Sequence, residues 1–153
     1  METSVKDCWA AIQQLFDSQA RLEERFANGL GSIHGLSLKD TLLLLHVAQA
    51  EGGRLSRIEL AKRLSISPST VTRTTAPLEK RGMLGRESSA RDARYAYVVL
   101  TDAGRRAVTD ASATLERMSA GAFTPDWTAA EVGTLTSLLG RLGHRPRGPM
   151  RPL

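Results

Sequence analysis

The chain has a single cysteine, Cys8, among its 153 residues. No internal disulfide can hold it, so its framework must rest on packing, which is compatible with a reducing compartment. Long apolar runs are missing too. The longest, Leu42 to Leu45 with Val47 and Ala48, falls far short of the ~20 residues a membrane helix needs. The opening METSVKDC lacks the apolar stretch of a secretory leader. These absences predict a cytoplasmic protein with no membrane partner. Clusters that carry chemistry are also scarce. The three histidines stand at 34, 46 and 144; with Cys8 and the carboxylates they make no metal-ligand spacing, so no metal or other cofactor is expected. No nucleophile has a base at a workable spacing, and GLGSIHG neither fits G-x-G-x-x-G nor follows a strand, which argues against an enzyme. No internal repeat is visible.

What the chain does have is one domain's worth of residues, 41% of them hydrophobic, and an uneven distribution of charge. Residues 54 to 106 hold twelve Lys and Arg against five Asp and Glu, a net +7, whereas residues 1 to 53 sum to −3 and 107 to 142 to −2. The tail from Gly143 adds +3. A basic segment between acidic ones is the footprint of a polyanion-binding surface.

Periodicity divides the chain into elements. Apolar residues from Val5 to Phe26 recur at steps of three and four, predicting an amphipathic helix that NGLGSIHG then breaks with its glycines. Ser37 caps a second helix, apolar on nearly all sides, which EGG at 51 to 53 ends. Two closely spaced helix starts follow. Ser56 with Glu59 forms a capping box stapled by Leu55 and Leu60; Ser67 caps the next helix, with Pro68 at its first position and Ile66 and Val71 as staple. That helix runs toward Arg81 and stops at Gly82, with a kink or a loosened turn expected near Pro77. Past Gly82 the period drops to two, and the run from Tyr95 to Leu100 has strand composition, so a hairpin is predicted with Arg91 and Asp92 near its tip. Thr101 caps a long helix carrying Val108, Ala111, Leu115, Met118 and Ala122. Thr128 with Glu131 opens the last one, which carries Val132, Leu135, Leu138, Leu139 and Leu142.

Two short helices joined by a tight turn and followed by a hairpin form a winged helix-turn-helix, and the fold class predicted is mainly α with a small β-hairpin. The second short helix opens with Ser67, Ser69, Thr70, Thr72 and Arg73. Short hydroxyls approach phosphates and base edges closely, a guanidinium grips guanine or phosphate, and the free N–H groups of a helix start favour an anion. Arg86, on the strand leading into the wing, joins this set. At the tip, Arg94 is placed in the minor groove with Asp92 orienting it and Arg91 on phosphate. Double-stranded DNA is therefore the expected partner.

The stretch LSRIELAKRLSISPSTVTRTTAPLEKRGMLGRESSARDARYAYVVLTDAG resembles the MarR family of bacterial transcription regulators. The shared features are Leu60-Ala61 in the helix-turn-helix, Leu78 to Gly82 closing the recognition helix, Asp92 with Arg94 in the wing, and Leu100-Thr101 with Gly104 opening the next helix. Ser88 and Ser89 replace a common acidic residue, Ala93 a common arginine, and Pro77 interrupts the recognition helix. The resemblance implies a repressor in the bacterial cytoplasm, associated with the nucleoid, that binds an inverted repeat as a homodimer. Residues 1–36 would supply a dimerisation helix and loop, 37–100 the DNA-binding lobe, 101–142 further dimerisation helices, and 143–153 a disordered basic tail. It also implies a small aromatic ligand between dimerisation platform and lobe, for which Trp9, Phe16, Phe26, His34 and His46 are the candidates. Peroxide-responsive relatives place a reactive cysteine near the start of the first helix, where Cys8 lies; the tyrosines that accompany it are missing, so a buried, inert thiol is expected. A redox sensor and a non-specific architectural DNA-binding protein are the alternatives.

Overall fold

The computed structural model describes residues 4–88, 96–123 and 125–143. In chain order the elements are α1 (Val5–His34), α2 (Leu38–Ala48), β1 (Arg54–Ser56), α3 (Arg57–Leu64), α4 (Pro68–Lys80), β2 (Leu84–Ser88), β3 (Ala96–Leu100), α5 (Asp102–Phe123) and α6 (Ala129–Gly143), with a 3-10 turn at Glu51–Gly53. The chain is mainly α with a small antiparallel sheet. It divides into two compact units, residues 1–116 and 117–153. The boundaries anticipated at 36 and 100 both fall inside the first unit. The reason is packing: Leu30 of α1 and Val108 and Ala111 of α5 are buried in the same cluster as Leu43, Leu44, Val47, Leu60, Val71, Leu78 and Val98.

The first helix is longer than its periodicity indicates. α1 continues past Phe26 through Asn28, Gly29 and Gly31, and ends only where Gly35 turns into the left-handed region at φ 61°, its N–H donating to the Gly31 carbonyl. Two glycines cost a helix roughly 1 kcal/mol each relative to alanine. Complete burial of Leu30 between them, and the bond between His34 Nε2 and the Thr114 hydroxyl at 2.8 Å, outweigh that cost.

Side-chain caps start the other helices where the sequence places them. Ser37 forms a full capping box with Asp40, Ser56 accepts from the Glu59 N–H, and Thr128 and Glu131 cap α6 reciprocally. Leu42, expected in the core, is 43% exposed, whereas Leu43 and Leu44 beside it are buried. α4 runs past Pro77 as one continuous helix, with Thr75 and Leu78 on either side of it buried.

The hairpin is part of a three-stranded sheet in the order β1-β3-β2. The additional strand, β1, pairs antiparallel with β3, Leu55 opposite Val98, while β2 sets Leu84 opposite Leu100. Leu55, Leu84, Val98 and Leu100 face the core. On the outer face the Arg54 guanidinium lies 5.4 Å from the centre of the Tyr97 ring and 3.6 Å from Glu87. The start of α5 is locked to the turn that follows α4. The Thr101 hydroxyl donates to the carbonyls of Gly82 and Met83 and accepts from the Gly104 N–H. At Gly104 any Cβ would collide with the Met83 carbonyl oxygen.

In the second unit, α6 begins at its Thr128–Glu131 cap, and the Trp127 ring meets Phe123 edge-on at 5.4 Å. Among the described residues no helix is long and apolar enough to cross a membrane, and no three potential ligands stand together to hold a metal ion.

Candidate nucleic-acid interface

α3 and α4 are joined by Ser65, whose φ of 55° is left-handed, and Ile66. The Ser65 N–H reaches the carbonyls of Ala61 and Lys62, and that of Ile66 reaches Ala61 at 3.0 Å. A non-glycine residue held left-handed costs roughly 1–2 kcal/mol, so this turn is built for its angle. Ser67 then caps α4, accepting from the Thr70 N–H at 3.2 Å, with the hydroxyls of Ser69 and Thr70 at 2.9 and 2.8 Å from its own.

At about 100° per residue, burial of Val71, Thr75 and Leu78 turns Ser69, Arg73 and Lys80 to the opposite side, where all three are exposed. The helix thus presents hydroxyl and cationic groups outward. Thr72 stands aside from that face. Its hydroxyl accepts from Arg57 Nη1 at 3.2 Å and donates to the Pro68 carbonyl at 3.4 Å, so its bonding is committed within the protein.

Three arginines from other positions fix the helix. Arg57 reaches it from α3, Arg86 of β2 places Nε 2.8 Å from Glu79, and Arg81, directly after α4, donates to the Gly35 carbonyl at 3.0 Å. The hydrogen bond that Arg86 donates to Glu79, and then the charge of Glu79, raise the Arg86 pKa above an already high value. Arg86 is still half exposed. Neither Arg57 nor Arg81 was among the sequence candidates. A contact fifteen or forty-six residues away along the chain leaves no periodic trace.

Of the wing candidates, Arg91, Asp92 and Arg94 lie outside the described residues, as do Tyr95 and the tail from 144. The five ligand candidates are not gathered in one protomer. Trp9 and Phe16 are exposed, Phe26, His34 and His46 are half-buried, and Trp9 and His34 lie 25 residues, about 37 Å, apart on one helix. An open concavity of about 710 Å³ over the outer face of the sheet is lined by Arg54, Arg63, Glu87 and Tyr97 among others, and by none of the five. Cys8, expected to be buried, is exposed, because the first part of α1 carries no residue buried in the core before Leu30.

A helix-turn-helix with a cationic outward face beside a three-stranded wing sheet matches a known family. The MarR family model covers residues 34–94, the span from the end of α1 through the wing. Over that span the chain is similar to the MarR family. MarR proteins are transcription regulators, and this chain shares 28% identity over 115 residues, 73% of each chain, with the uncharacterised HTH-type transcriptional regulator YhbI of Bacillus subtilis. Among solved structures, the MarR-family regulator Sco3205 of Streptomyces coelicolor, in complex with DNA, superposes with a TM-score of 0.83 at 22% identity, over 100% of this chain and 97% of that one. BpsR of Bordetella bronchiseptica, whose DNA binding is regulated by 6-hydroxynicotinic acid, superposes at 0.78 with 21% identity, over 88% and 93% of the chains. At these identities both establish the MarR fold alone.

Proposed function

We propose that this chain is a MarR-type homodimer that reads an inverted-repeat operator, with Ser69 and Arg73 of α4 against the bases and Thr70 and Arg86 toward phosphate. The observation that carries the proposal is the apolar surface left uncovered on the terminal helices. Val5, Trp9 and Phe16 on α1, and Leu138 and Leu142 on α6, each expose more than half of their surface. Stripes of that kind need a partner, and a second copy supplies one by symmetry. Two-fold pairing also duplicates α4, bringing two reading helices about one helical turn, ~34 Å, apart. The DNA complex of the Streptomyces relative supports duplex DNA as the ligand. The reading of the wing places Arg94 in the minor groove, oriented by Asp92, with Arg91 on phosphate.

Selection of bound sites from random DNA, with sedimentation of the free protein, tests this. A dimer at micromolar concentration, two-fold symmetric sites and an operator preference of ~10³ to 10⁷ over random sequence are expected. A monomer on asymmetric sites overturns the proposal, and equal affinity for random sequence favours an architectural role.

The finer part of the proposal is repression relieved by a small aromatic ligand, supported by the control of BpsR by 6-hydroxynicotinic acid. Hydroxylated aromatic acids should then release the operator complex; retention of DNA at saturating acid overturns this part alone.

A further inference from the structure

Of the eight described arginines from Arg54 to Arg106, four pair with a carboxylate. Arg54 pairs with Glu87, Arg63 with Glu59, Arg86 with Glu79 and Arg105 with Asp102, all within 3.6 Å. Arg57 is different. It is half-buried at the first position of α3, no described carboxylate pairs with it, and it is held by a neutral group, the Thr72 hydroxyl of the recognition helix, at 3.2 Å. Thr72 can serve as that acceptor because its own proton goes to the Pro68 carbonyl.

Position on the helix says which part of DNA such a group would meet. Thr72 lies roughly 90° around α4 from the outward centre defined by Ser69, Arg73 and Lys80. Glu79, seven residues and about 10 Å further along the axis, lies on the same flank, and there Arg86 docks. Two guanidinium groups, one from α3 and one from β2, are therefore laid along one side of α4. The outward face of a helix seated in the major groove meets base edges; its flanks meet the sugar-phosphate walls.

We propose that Arg57 grips a backbone phosphodiester of bound DNA and that Thr72 is its positioning residue, not a reader of bases. The proposal rests on the DNA-binding reading above. A guanidinium suits the role because its planar fork binds phosphate through two N–H groups, and one donor spent on Thr72 leaves four. Fixing its orientation before DNA arrives lowers the ordering cost of binding.

The test is a salt series on wild-type protein and four variants, each with folding checked by circular dichroism, against a selected operator and a random duplex. Arg57→Gln should weaken binding to both duplexes by the same factor. Its slope of log affinity against log salt should be shallower by about 0.9, so that between 50 and 200 mM salt it loses about 3.5-fold less affinity than wild type. Arg57→Lys should keep the wild-type slope. Thr72→Val, close to isosteric, should keep the slope and the preferred sequence while weakening both duplexes, and Thr72→Ser should restore wild-type binding. An unchanged slope in Arg57→Gln, or a loss confined to the operator, overturns the phosphate role. Altered base preference in Thr72→Val overturns its role as a positioning residue, and that variant carries the test if Arg57→Gln folds poorly. Wild-type protein that binds neither duplex overturns the DNA-binding reading and Arg57's role together.

Discussion

α4 and α6 are both amphipathic, yet the chain treats them differently. α4 buries Val71, Thr75 and Leu78 and is held by side chains from α3 and β2 and by the bond from Arg81 to Gly35. α6 carries an equally regular stripe, but Leu138, Leu139 and Leu142 remain 44 to 54% exposed, and α1 leaves Trp9 and Phe16 uncovered in the same way. An apolar stripe states that a helix needs a cover without saying what the cover is. In the lobe the cover comes from the same chain, whereas on the terminal helices the proposed second copy would supply it.

The largest test of that contrast sets a buried leucine against an exposed one. Leu44→Ala, at a position with no exposure, should cost about 2–5 kcal/mol in denaturant unfolding. Leu138→Ala should leave the fold of the protomer nearly unchanged and instead shift the monomer–dimer equilibrium, read by sedimentation. Equal losses of folding stability in the two variants would break the comparison.

A second test applies one substitution at two places. Gly104→Ala forces a methyl group into the Met83 carbonyl and the Leu100 side chain and should cost about 1–3 kcal/mol, measured as a shift in urea midpoint. Gly133→Ala in α6 meets nothing within 4 Å in the protomer and should gain about 0.4–1 kcal/mol from helix propensity and reduced chain entropy. A loss at Gly133 would sharpen the contrast, since it would mark a partner's surface packed against that glycine.

The smallest effect concerns the cap of α6. The Thr128 backbone N–H and then its hydroxyl donate to Glu131 and hold its carboxyl below the usual range. The folded helix therefore binds fewer protons than the unfolded chain. The contribution of the cap is complete above the ordinary carboxyl value and fades as pH falls through the lowered one. The difference in helicity between wild type and Glu131→Gln should accordingly shrink on acidification. A difference constant from pH 7 to pH 2.5 would assign it to another cause.

Helix starts were legible because each is a local signal: Ser37, Ser56, Ser67, Thr101 and Thr128 all cap where their neighbours say they should. The hairpin was legible from its change of period. Other features were decided by contacts distant in sequence. The glycines near Asn28 read locally as a break, but Leu30 between them is a core residue, and burial outweighed propensity. β1 is three residues long, too short for any period, and exists because Arg54 to Ser56 pair with β3. In the site, the exposed faces of Ser69 and Arg73 followed from helical spacing. The commitment of Thr72 to Arg57 did not, since both residues satisfy every local rule without it.

The bond from Arg81 to the Gly35 carbonyl helps to anchor the end of a helix thirty residues, or about 45 Å, long. Seen as a lever, α1 converts angle into displacement: a 5° rotation about Gly35 sweeps Val5 through about 4 Å, and holding Val5 to within 1 Å holds that angle to little more than 1°. A grip at Trp9 has about three times the mechanical advantage of one at Phe26. The exposed side chains near the start of α1 therefore sit where a modest contact gives the finest angular control over the end of the helix that Arg81 ties to α4.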